Sequence, residues 1–210
     1  MSSPEDLREQ LGDIDIYLLD QILKGRIGHA MRVLDAGCGD GRNLVFLLRS
    51  SVDVHALDPE PERIAAVRRL ATRLAPHLPR ENFRAEAIEG TSFAEASFDV
   101  VIAIAVLHFA RGPEHFREML ETLWRLLVPG GMLFARLASR IGIESRVTPL
   151  GAGRYHLPDG TDRYLVDEAL LTEAAAYLGA EPLEPLKTVN VANQRAMTTW
   201  VLRRRPRLGS

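Results

Sequence analysis

Two aspartates and three glycines follow a short apolar run in the segment Val33-Leu34-Asp35-Ala36-Gly37-Cys38-Gly39-Asp40-Gly41. A third aspartate, Asp58, ends the next apolar run. A strand, a glycine turn and a helix in this order hold nucleotide-type cofactors in open α/β sheets. Glycines let the backbone approach a ligand, and the following helix directs unpaired N–H groups to the same point. These residues therefore predict a cofactor site at this turn.

The charge of the turn indicates which cofactor it would hold. Asp35, Asp40 and Asp58 produce a negative field, which repels a pyrophosphate group and attracts an ammonium group. The third glycine, Gly41, falls one position earlier than the dinucleotide-binding pattern G-x-G-x-x-G requires. S-adenosylmethionine (SAM) matches these features because it combines an ammonium group, a positively charged sulfur and ribose hydroxyls without any phosphate. The alternative is a glycine turn that only joins a strand to a helix.

The segment 33–43 resembles the first motif of the class I SAM-dependent methyltransferases. A second feature of that family, Leu-x-Pro-Gly-Gly before a strand, is present here as Leu127-Val128-Pro129-Gly130-Gly131. The resemblance extends over residues 15–202, and the ending Gly41-Arg42-Asn43 is similar to the tellurite-resistance-type small-molecule methyltransferases. It implies SAM as cofactor, S-adenosylhomocysteine as product and a Rossmann-like α/β fold. In that fold a seven-stranded, mostly parallel sheet has the order 3-2-1-4-5-7-6 and carries helices on both faces.

Each part of SAM has an expected partner near the glycine turn. The backbone of Gly37-Cys38-Gly39 is expected to approach the methionine end, and Asp35 to hold the ammonium group directly or through water. Asp58, which Pro59 follows, lies near the distance at which a carboxylate accepts hydrogen bonds from ribose hydroxyls. The resemblance also implies that Ala103, in the fourth strand, lies beside the methionine part.

The adenine contact departs from the family pattern. The resemblance implies an acidic residue just past the third strand, but that position holds Ala87 here. The alternatives are the backbone of Ala87 and Ile88, or the side chain of Glu86 or Glu89 in a shifted register. We favour the backbone contact.

Methyl transfer is an in-line displacement, and orientation of the reactants can supply most of its rate. A general base is needed only when the nucleophile arrives protonated. His108, just past the fourth strand, is the first candidate, and His156 and Tyr164 are further candidates in a long irregular segment. Arg154 and Arg163 of that segment could hold an acidic acceptor, because arginine binds carboxylate or phosphate in a forked geometry. The alternative for each is a purely structural side chain.

Hydrophobic periodicity gives the elements that must position these residues. Alternating strands and helices predict a parallel sheet. The predicted strands cover residues 33–36, 52–57, 82–88, 98–104 and 132–137, and an antiparallel pair covers 183–191 and 197–202. The predicted helices cover 42–49, 62–74, 113–127 and 167–178. An N-terminal helical cover, interrupted near Gly12, occupies 1–30, and residues 139–166 form an irregular insertion on the substrate side.

Composition excludes several classes of protein. The chain has 210 residues and a net charge of -2, which fits a single domain (1–210) and gives no general attraction to nucleic acid or anionic membranes. The single cysteine, Cys38, fits a reducing compartment. The six histidines are scattered, so no metal site is predicted. These features predict a cytoplasmic protein with a small-molecule partner, and they leave its oligomeric state open.

The leading hypothesis is an enzyme of the EC 2.1.1 class that moves a methyl group from SAM to a small-molecule acceptor. One alternative is a non-catalytic SAM-binding sensor or partner subunit. An NAD-type dehydrogenase is a second alternative, which the short glycine spacing and the acidic turn disfavour. The sequence does not identify the acceptor.

Overall fold

A twisted sheet of mostly parallel strands lies between two layers of helices in the computed structural model, which describes residues 3–206. The helices are α1 (Pro4–Leu11), α2 (Ile16–Leu23), α3 (Leu44–Arg49), α4 (Pro61–Leu74), α5 (Pro113–Leu126) and α6 (Glu168–Tyr177). The strands are β1 (Arg32–Ala36), β2 (Asp53–Leu57), β3 (Phe83–Arg84), β4 (Phe98–Ile104), β5 (Leu127–Ser139), β6 (Thr148–Gly151), β7 (Arg154–His156), β8 (Asp162–Tyr164), β9 (Glu181–Pro182), β10 (Lys187–Val191) and β11 (Arg195–Arg203).

The main sheet has the order β3-β2-β1-β4-β5-β11-β10, and the short β9 pairs with β11. The pairs from β3 to β5 are parallel, whereas β11 runs antiparallel to β5, β9 and β10. The predicted order 3-2-1-4-5-7-6 is therefore confirmed for the seven main strands. β9 is an addition, and the first strand of the closing pair is confined to β10.

The sheet buries apolar side chains on both faces. In β1, Val33 packs with the cluster that contains α2, α3 and α4, and Leu34 packs with the cluster that contains α5 and α6. β4 is buried almost throughout because it lies at the centre of the sheet. This arrangement fixes the carboxyl ends of β1, β2, β4 and β5 at one edge, where open α/β sheets bind ligands.

The N-terminal helices form a cover that several polar contacts attach to the sheet domain. The break predicted at Gly12 is present, and a Cβ there would lie 2.9 Å from Val45. Glu184 accepts hydrogen bonds from Lys24 at 2.5 Å and Arg26 at 2.6 Å, which joins the end of α2 to the segment before β10. Another of these contacts, through Asp15, belongs to the candidate site below.

The third strand is shorter than the predicted 82–88 because its partner ends. β3 pairs with β2 only at Phe83 and Arg84. The backbone N–H of Asp58 donates to the Arg84 carbonyl at 3.3 Å, and β2 does not continue beyond this point. The side chain of Glu86 then accepts from Ser92 N–H at 2.8 Å and closes the following residues into a loop.

The segment predicted to be irregular contains a small sheet of its own. β6, β7 and β8 form an antiparallel meander within residues 139–166. The tight turn between β6 and β7 uses positive φ angles at Gly151, Ala152 and Gly153. Strands of three or four residues with glycines between them give no readable alternation, so the prediction of an irregular loop was wrong.

Other boundaries moved by a few residues. The first helix after the glycine turn begins at Leu44 instead of residue 42, because residues 41–43 form a turn in which Leu44 N–H donates to the Gly41 carbonyl. β5 starts at Leu127 and bulges before Met132, so Pro129-Gly130-Gly131 lies within the strand. Among residues 3–206, no helix combines the length and apolarity needed to cross a membrane. Within the same residues, no three His, Cys, Asp or Glu side chains are grouped to hold a metal ion.

Candidate cofactor and acceptor site

The glycine turn joins the ends of β1 and β2. The backbone N–H groups of Gly37 and Cys38 both donate to the Leu57 carbonyl, at 2.8 and 3.0 Å, and Gly39 N–H donates to Asp58 Oδ2 at 3.0 Å. Gly37 has a φ of +77°, and a Cβ at this residue would lie 2.6 Å from Val106 Cγ2. The backbone therefore occupies space that only glycine leaves open, at the sheet edge where the cofactor is expected.

We expect Gly37→Ala to destabilise the protein by about 2–4 kcal/mol, because the added methyl group is strained by the backbone and also overlaps Val106. Gly142→Ala is a matched control, since Gly142 has a φ of +78° and nothing within 4 Å of its Cβ position. The control isolates the backbone penalty, about 1–2 kcal/mol. Urea denaturation of both variants measures the difference. Equal losses would show that the contact with Val106 costs nothing.

Asp58 is held in place by backbone N–H groups on both sides. Its Oδ2 accepts from Gly39, and its Oδ1 accepts from Glu60 N–H at 3.0 Å. The side chain is buried, with 5% of the residue exposed. An ionised carboxylate has about four lone-pair positions, so two acceptor positions remain for hydroxyl groups. Pro59 follows at the surface and ends the strand.

Asp35 is a buried carboxylate with an unsatisfied oxygen. The residue is 1% exposed, and its Oδ2 has no hydrogen-bond partner in the described chain. Burial is the main cause that raises the pKa of Asp35 to about 7. The positive charge of Arg42 lowers this pKa in part, and the negative charge of Asp58 raises it slightly. Such an acceptor is costly unless a donor reaches it. The ammonium group of SAM is a donor of the required charge, so the residues present fit this cofactor.

Cys38 and Ala103, the two other residues expected at the cofactor site, are both buried. Cys38 is buried, and burial raises the pKa of its thiol, so only its backbone is suited to contact a ligand. Ala103 is fully buried within β4. Ala105, two residues further on, has a φ of +58° and lines the cavity described below. The contact expected between Ala103 and the methionine part of SAM stays a prediction.

Both acidic side chains that could contact adenine are engaged within the protein. Glu86 accepts from Thr91 and from the N–H and hydroxyl of Ser92, at 2.5 to 3.1 Å. Glu89 Oε1 lies 3.0 Å from His115 Nε2. These contacts favour the alternative in which the backbone of Ala87 and Ile88 contacts adenine.

The N-terminal cover reaches the site through Asp15, which the sequence did not single out. Asp15 N–H donates to Asn43 Oδ1 at 3.0 Å, and Asp15 Oδ2 accepts from Arg136 Nη1 at 2.9 Å. The Arg136 guanidinium also lies 5.2 Å from the centre of the Tyr17 ring. The sequence signal for this network was an arginine within an otherwise apolar strand.

A cavity of about 370 Å³ opens beyond the carboxyl ends of β4 and β5. We call it the arginine cavity, and its lining residues are Arg42, Ala105, His108, Arg136, Ala138, Leu157, Asp159, Thr161, Arg163, Val191, Arg195 and Met197. Four of these residues are arginines, contributed by the turn before α3 and by β5, β8 and β11. Part of the insertion 139–166 therefore forms one wall of the cavity.

His108 lies in this cavity as a neutral ring. Burial and, to a smaller degree, the charge of Arg163 lower the pKa of His108 to about 4. Its Nδ1 accepts from Ala138 N–H at 3.2 Å. A neutral imidazole that accepts at Nδ1 carries its proton on Nε2, so this ring offers a donor to the cavity and no free acceptor.

The remaining candidates lie in other surroundings. Tyr164 is buried, its ring is stacked on Phe116 with centroids 5.1 Å apart, and burial raises its pKa. His156 is exposed, and its Nδ1 lies 2.6 Å from Asp162 Oδ1. Arg154 belongs to β7, whereas Arg163, on β8, lines the arginine cavity. Of the three histidine and tyrosine candidates, the structure brings only His108 to the ends of β4 and β5.

The sheet order, the glycine turn after β1 and the carboxylates at the ends of β1 and β2 are those of the class I SAM-dependent methyltransferase fold. Consistent with this, residues 34–133 match the family model described as a methyltransferase domain. SAM is the cofactor of this class of domain.

Individual relatives carry methyltransferase names. A ubiquinone biosynthesis O-methyltransferase of Methylocella silvestris is 36% identical over 110 residues, which cover 52% of this chain and 41% of that protein. A tRNA 5-carboxymethoxyuridine methyltransferase of Escherichia coli is 29% identical over 115 residues, covering 55% of this chain and 43% of that protein. The chain thus spans about half or less of these relatives.

The fold also matches solved structures over nearly its whole length. The Burkholderia thailandensis 1,6-didemethyltoxoflavin-N1-methyltransferase, solved with 1,6-didemethyltoxoflavin and S-adenosylhomocysteine, superposes with a TM-score of 0.65 and 20% identity. The match covers 98% of this chain and 92% of that one. At this level of identity the likeness concerns the fold.

Proposed function

We propose that this chain is an enzyme that transfers a methyl group from SAM to a small-molecule acceptor. The observation that carries the proposal is that the cofactor turn and the arginine cavity share a border. Arg42 follows the glycine turn and lines the cavity, and Ala105, also in the lining, precedes the Val106 side chain that packs on Gly37. An acceptor in the cavity would therefore face the methionine end of the cofactor.

SAM would supply a methyl group on a positively charged sulfur, and the acceptor would attack it in line. The residues of this chain would contribute binding and orientation, which can provide a large part of the rate. Asp35 would hold the ammonium group, Asp58 the ribose, and the backbone of Ala87 and Ile88 the adenine. These contacts would fix the sulfur near Ala105, at the mouth of the arginine cavity.

We propose that His108 acts as a hydrogen-bond donor to the acceptor and not as a general base. Its only acceptor nitrogen is engaged by Ala138, and protonation of the ring is disfavoured at neutral pH. The chemistry then suits an acceptor that arrives ionised or carries a neutral nucleophile, for which no base is required.

A small acceptor fits a cavity of this size better than a nucleic acid does. The cavity volume of about 370 Å³ is that of a small-molecule site. The ubiquinone biosynthesis enzyme and the didemethyltoxoflavin enzyme point in the same direction by their names. The tRNA-modifying relative supports a second candidate function, methylation of a modified nucleoside in RNA.

Calorimetry with S-adenosylhomocysteine, followed by turnover of SAM over a panel of acceptors, tests the proposal. We expect cofactor binding, and release of S-adenosylhomocysteine that depends on a small acceptor. Binding without turnover on any small molecule or tRNA would favour the non-catalytic sensor or partner subunit. Absence of binding at millimolar S-adenosylhomocysteine would contradict the cofactor site itself.

A further inference from the structure

The charges that line the arginine cavity are unbalanced. Four arginines face a single aspartate, Asp159. The carboxylate of Asp159 is engaged locally, because its Oδ1 accepts from Thr161 N–H at 3.1 Å and from the Thr161 hydroxyl at 2.6 Å. The cavity therefore carries a net positive charge, in a protein whose net charge is -2.

Only one of the four arginines has a carboxylate partner. Arg136 pairs with Asp15 at 2.9 Å. Within residues 3–206, Arg42, Arg163 and Arg195 have no carboxylate oxygen within the 4 Å of a salt bridge.

The Arg163 side chain lines the cavity and makes two further contacts within the protein. Its guanidinium lies 4.8 Å from the centre of the Phe109 ring, and its Nη1 donates to the Asp162 carbonyl at 2.8 Å. Arg195, at the first position of β11, lines the same cavity. Like charges brought together from three distant segments repel one another, so an anion between them would lower the energy of the site.

The lining of the arginine cavity also contains apolar surface that could contact the uncharged part of an organic ligand. Ala105, Ala138, Leu157, Val191 and Met197 supply apolar surface next to the arginines. The neutral His108 adds a hydrogen-bond donor and no competing negative charge. A molecule with an apolar body and one acidic group would match both parts of the cavity.

We propose that the methyl acceptor carries an oxyanion, a carboxylate or a phosphate, that binds between Arg163 and Arg195, with Arg42 on the side of the cofactor. This inference rests on the proposed function and names the acceptor class for the same site. The cofactor has a carboxylate of its own, but one such group cannot neutralise three cations.

The test measures binding of four probes to the protein saturated with S-adenosylhomocysteine. Benzoate and phenyl phosphate supply the two oxyanions, benzamide is the neutral match to benzoate, and tRNA tests a nucleic-acid acceptor. We expect benzoate or phenyl phosphate to bind with a Kd in the millimolar range, at least about tenfold more tightly than benzamide. The preference between the two oxyanions identifies which acid the site takes. Equal binding of benzoate and benzamide, or no binding of either acid at about 20 mM, would overturn the proposal.

Variants separate the acceptor anion from the carboxylate of the cofactor. Arg163→Gln and Arg195→Gln are each expected to weaken the preferred acid by about ten- to a hundredfold while the Kd for S-adenosylhomocysteine stays within about twofold. Arg154→Gln, on the adjacent β7, is the matched control and should leave both affinities unchanged. Arg163→Lys should recover part of the loss, which a folding defect would not.

The remaining outcomes are also decisive. A parallel loss of S-adenosylhomocysteine affinity in Arg163→Gln and Arg195→Gln would assign these arginines to the cofactor and overturn the inference. Tight binding of tRNA that displaces benzoate would replace the small acid with an RNA acceptor. Failure of the unmodified protein to bind S-adenosylhomocysteine would instead refute the proposed function, so the two failures are distinguishable.

Discussion

Replacing Asp58 by alanine is expected to weaken binding of S-adenosylhomocysteine by at least about 100-fold. Two hydrogen bonds from ribose hydroxyls to an ionised carboxylate contribute about 1.5–3 kcal/mol each, and each 1.4 kcal/mol is a factor of ten in Kd. The variant also loses the acceptor for Gly39 N–H and Glu60 N–H, so the turn itself would be less ordered. Isothermal titration calorimetry at constant pH measures the effect.

Asp40→Ala is the matched control for this experiment. Asp40 lies on the same turn and carries the same charge, but its side chain is exposed. We expect the control to change the Kd by no more than about threefold, because an exposed charge is screened by solvent and salt. Urea denaturation of both variants shows whether the fold persists. Near-wild-type binding by a folded Asp58→Ala protein would rule out the ribose contact.

The elements that the sequence predicted well are those whose signals are local. The strand before the glycine turn, the turn itself and the acid that ends the next strand lie within thirty residues of one another, and each has a distinct composition. The positions of Gly37 and Asp58 at the sheet edge could be predicted because both their residue types and their spacing are constrained by the backbone geometry of the unit. Their contacts with the cofactor stay predictions. The long apolar β4 was also correctly bounded.

The features that the sequence did not predict depend on contacts between distant segments. Asp15 and Arg136 are 121 residues apart, and an arginine in an apolar strand does not by itself identify its partner. β3 is short because β2 ends, which is a property of its neighbour and not of its own residues. Arg195 is exposed at the start of β11 and pairs with Val191 of β10, so only the pairing of β10, β11 and β5 in the sheet brings it to the cavity. Periodicity cannot report such pairings.

The buried carboxylate of Asp35 predicts that stability and cofactor binding depend on pH in opposite directions. The folded-state pKa of Asp35, about 7, lies above the ordinary aspartate pKa of 3.8, which applies to the unfolded chain. Between these values the folded protein retains a proton that the unfolded chain has released, so the cofactor-free protein loses stability as the pH rises from about 4 to 7. One unit of pKa is 1.36 kcal/mol, so the full loss is on the order of 4 kcal/mol.

Cofactor binding follows the opposite course because the ammonium group needs the ionised carboxylate. We expect the affinity for S-adenosylhomocysteine to rise by up to about tenfold per pH unit between pH 5.5 and 7, and then to level off. Calorimetry in buffers with different heats of ionisation would also detect the proton that Asp35 releases on binding. An affinity that is constant over this range would show that Asp35 is already ionised or does not contact the ligand.

Asp35→Asn separates the two effects in one variant. The amide has the shape of the acid without a charge, so the cofactor-free variant should be more stable than the wild type at pH 8. The expected gain is about 2 kcal/mol, because the buried, unpaired amide nitrogen offsets part of the benefit of removing the charge. Its affinity for S-adenosylhomocysteine should fall by about ten- to a hundredfold and lose its pH dependence. Urea denaturation at pH 5.5 and 8 provides the stability measurement, with Asp40→Asn as the exposed control. A stability difference from wild type that is the same at both pH values would mean that burial does not raise the pKa of Asp35. The gain and the loss expected from this one substitution arise from the same cause, a charge that the cofactor-free fold buries and that only a cationic ligand can offset.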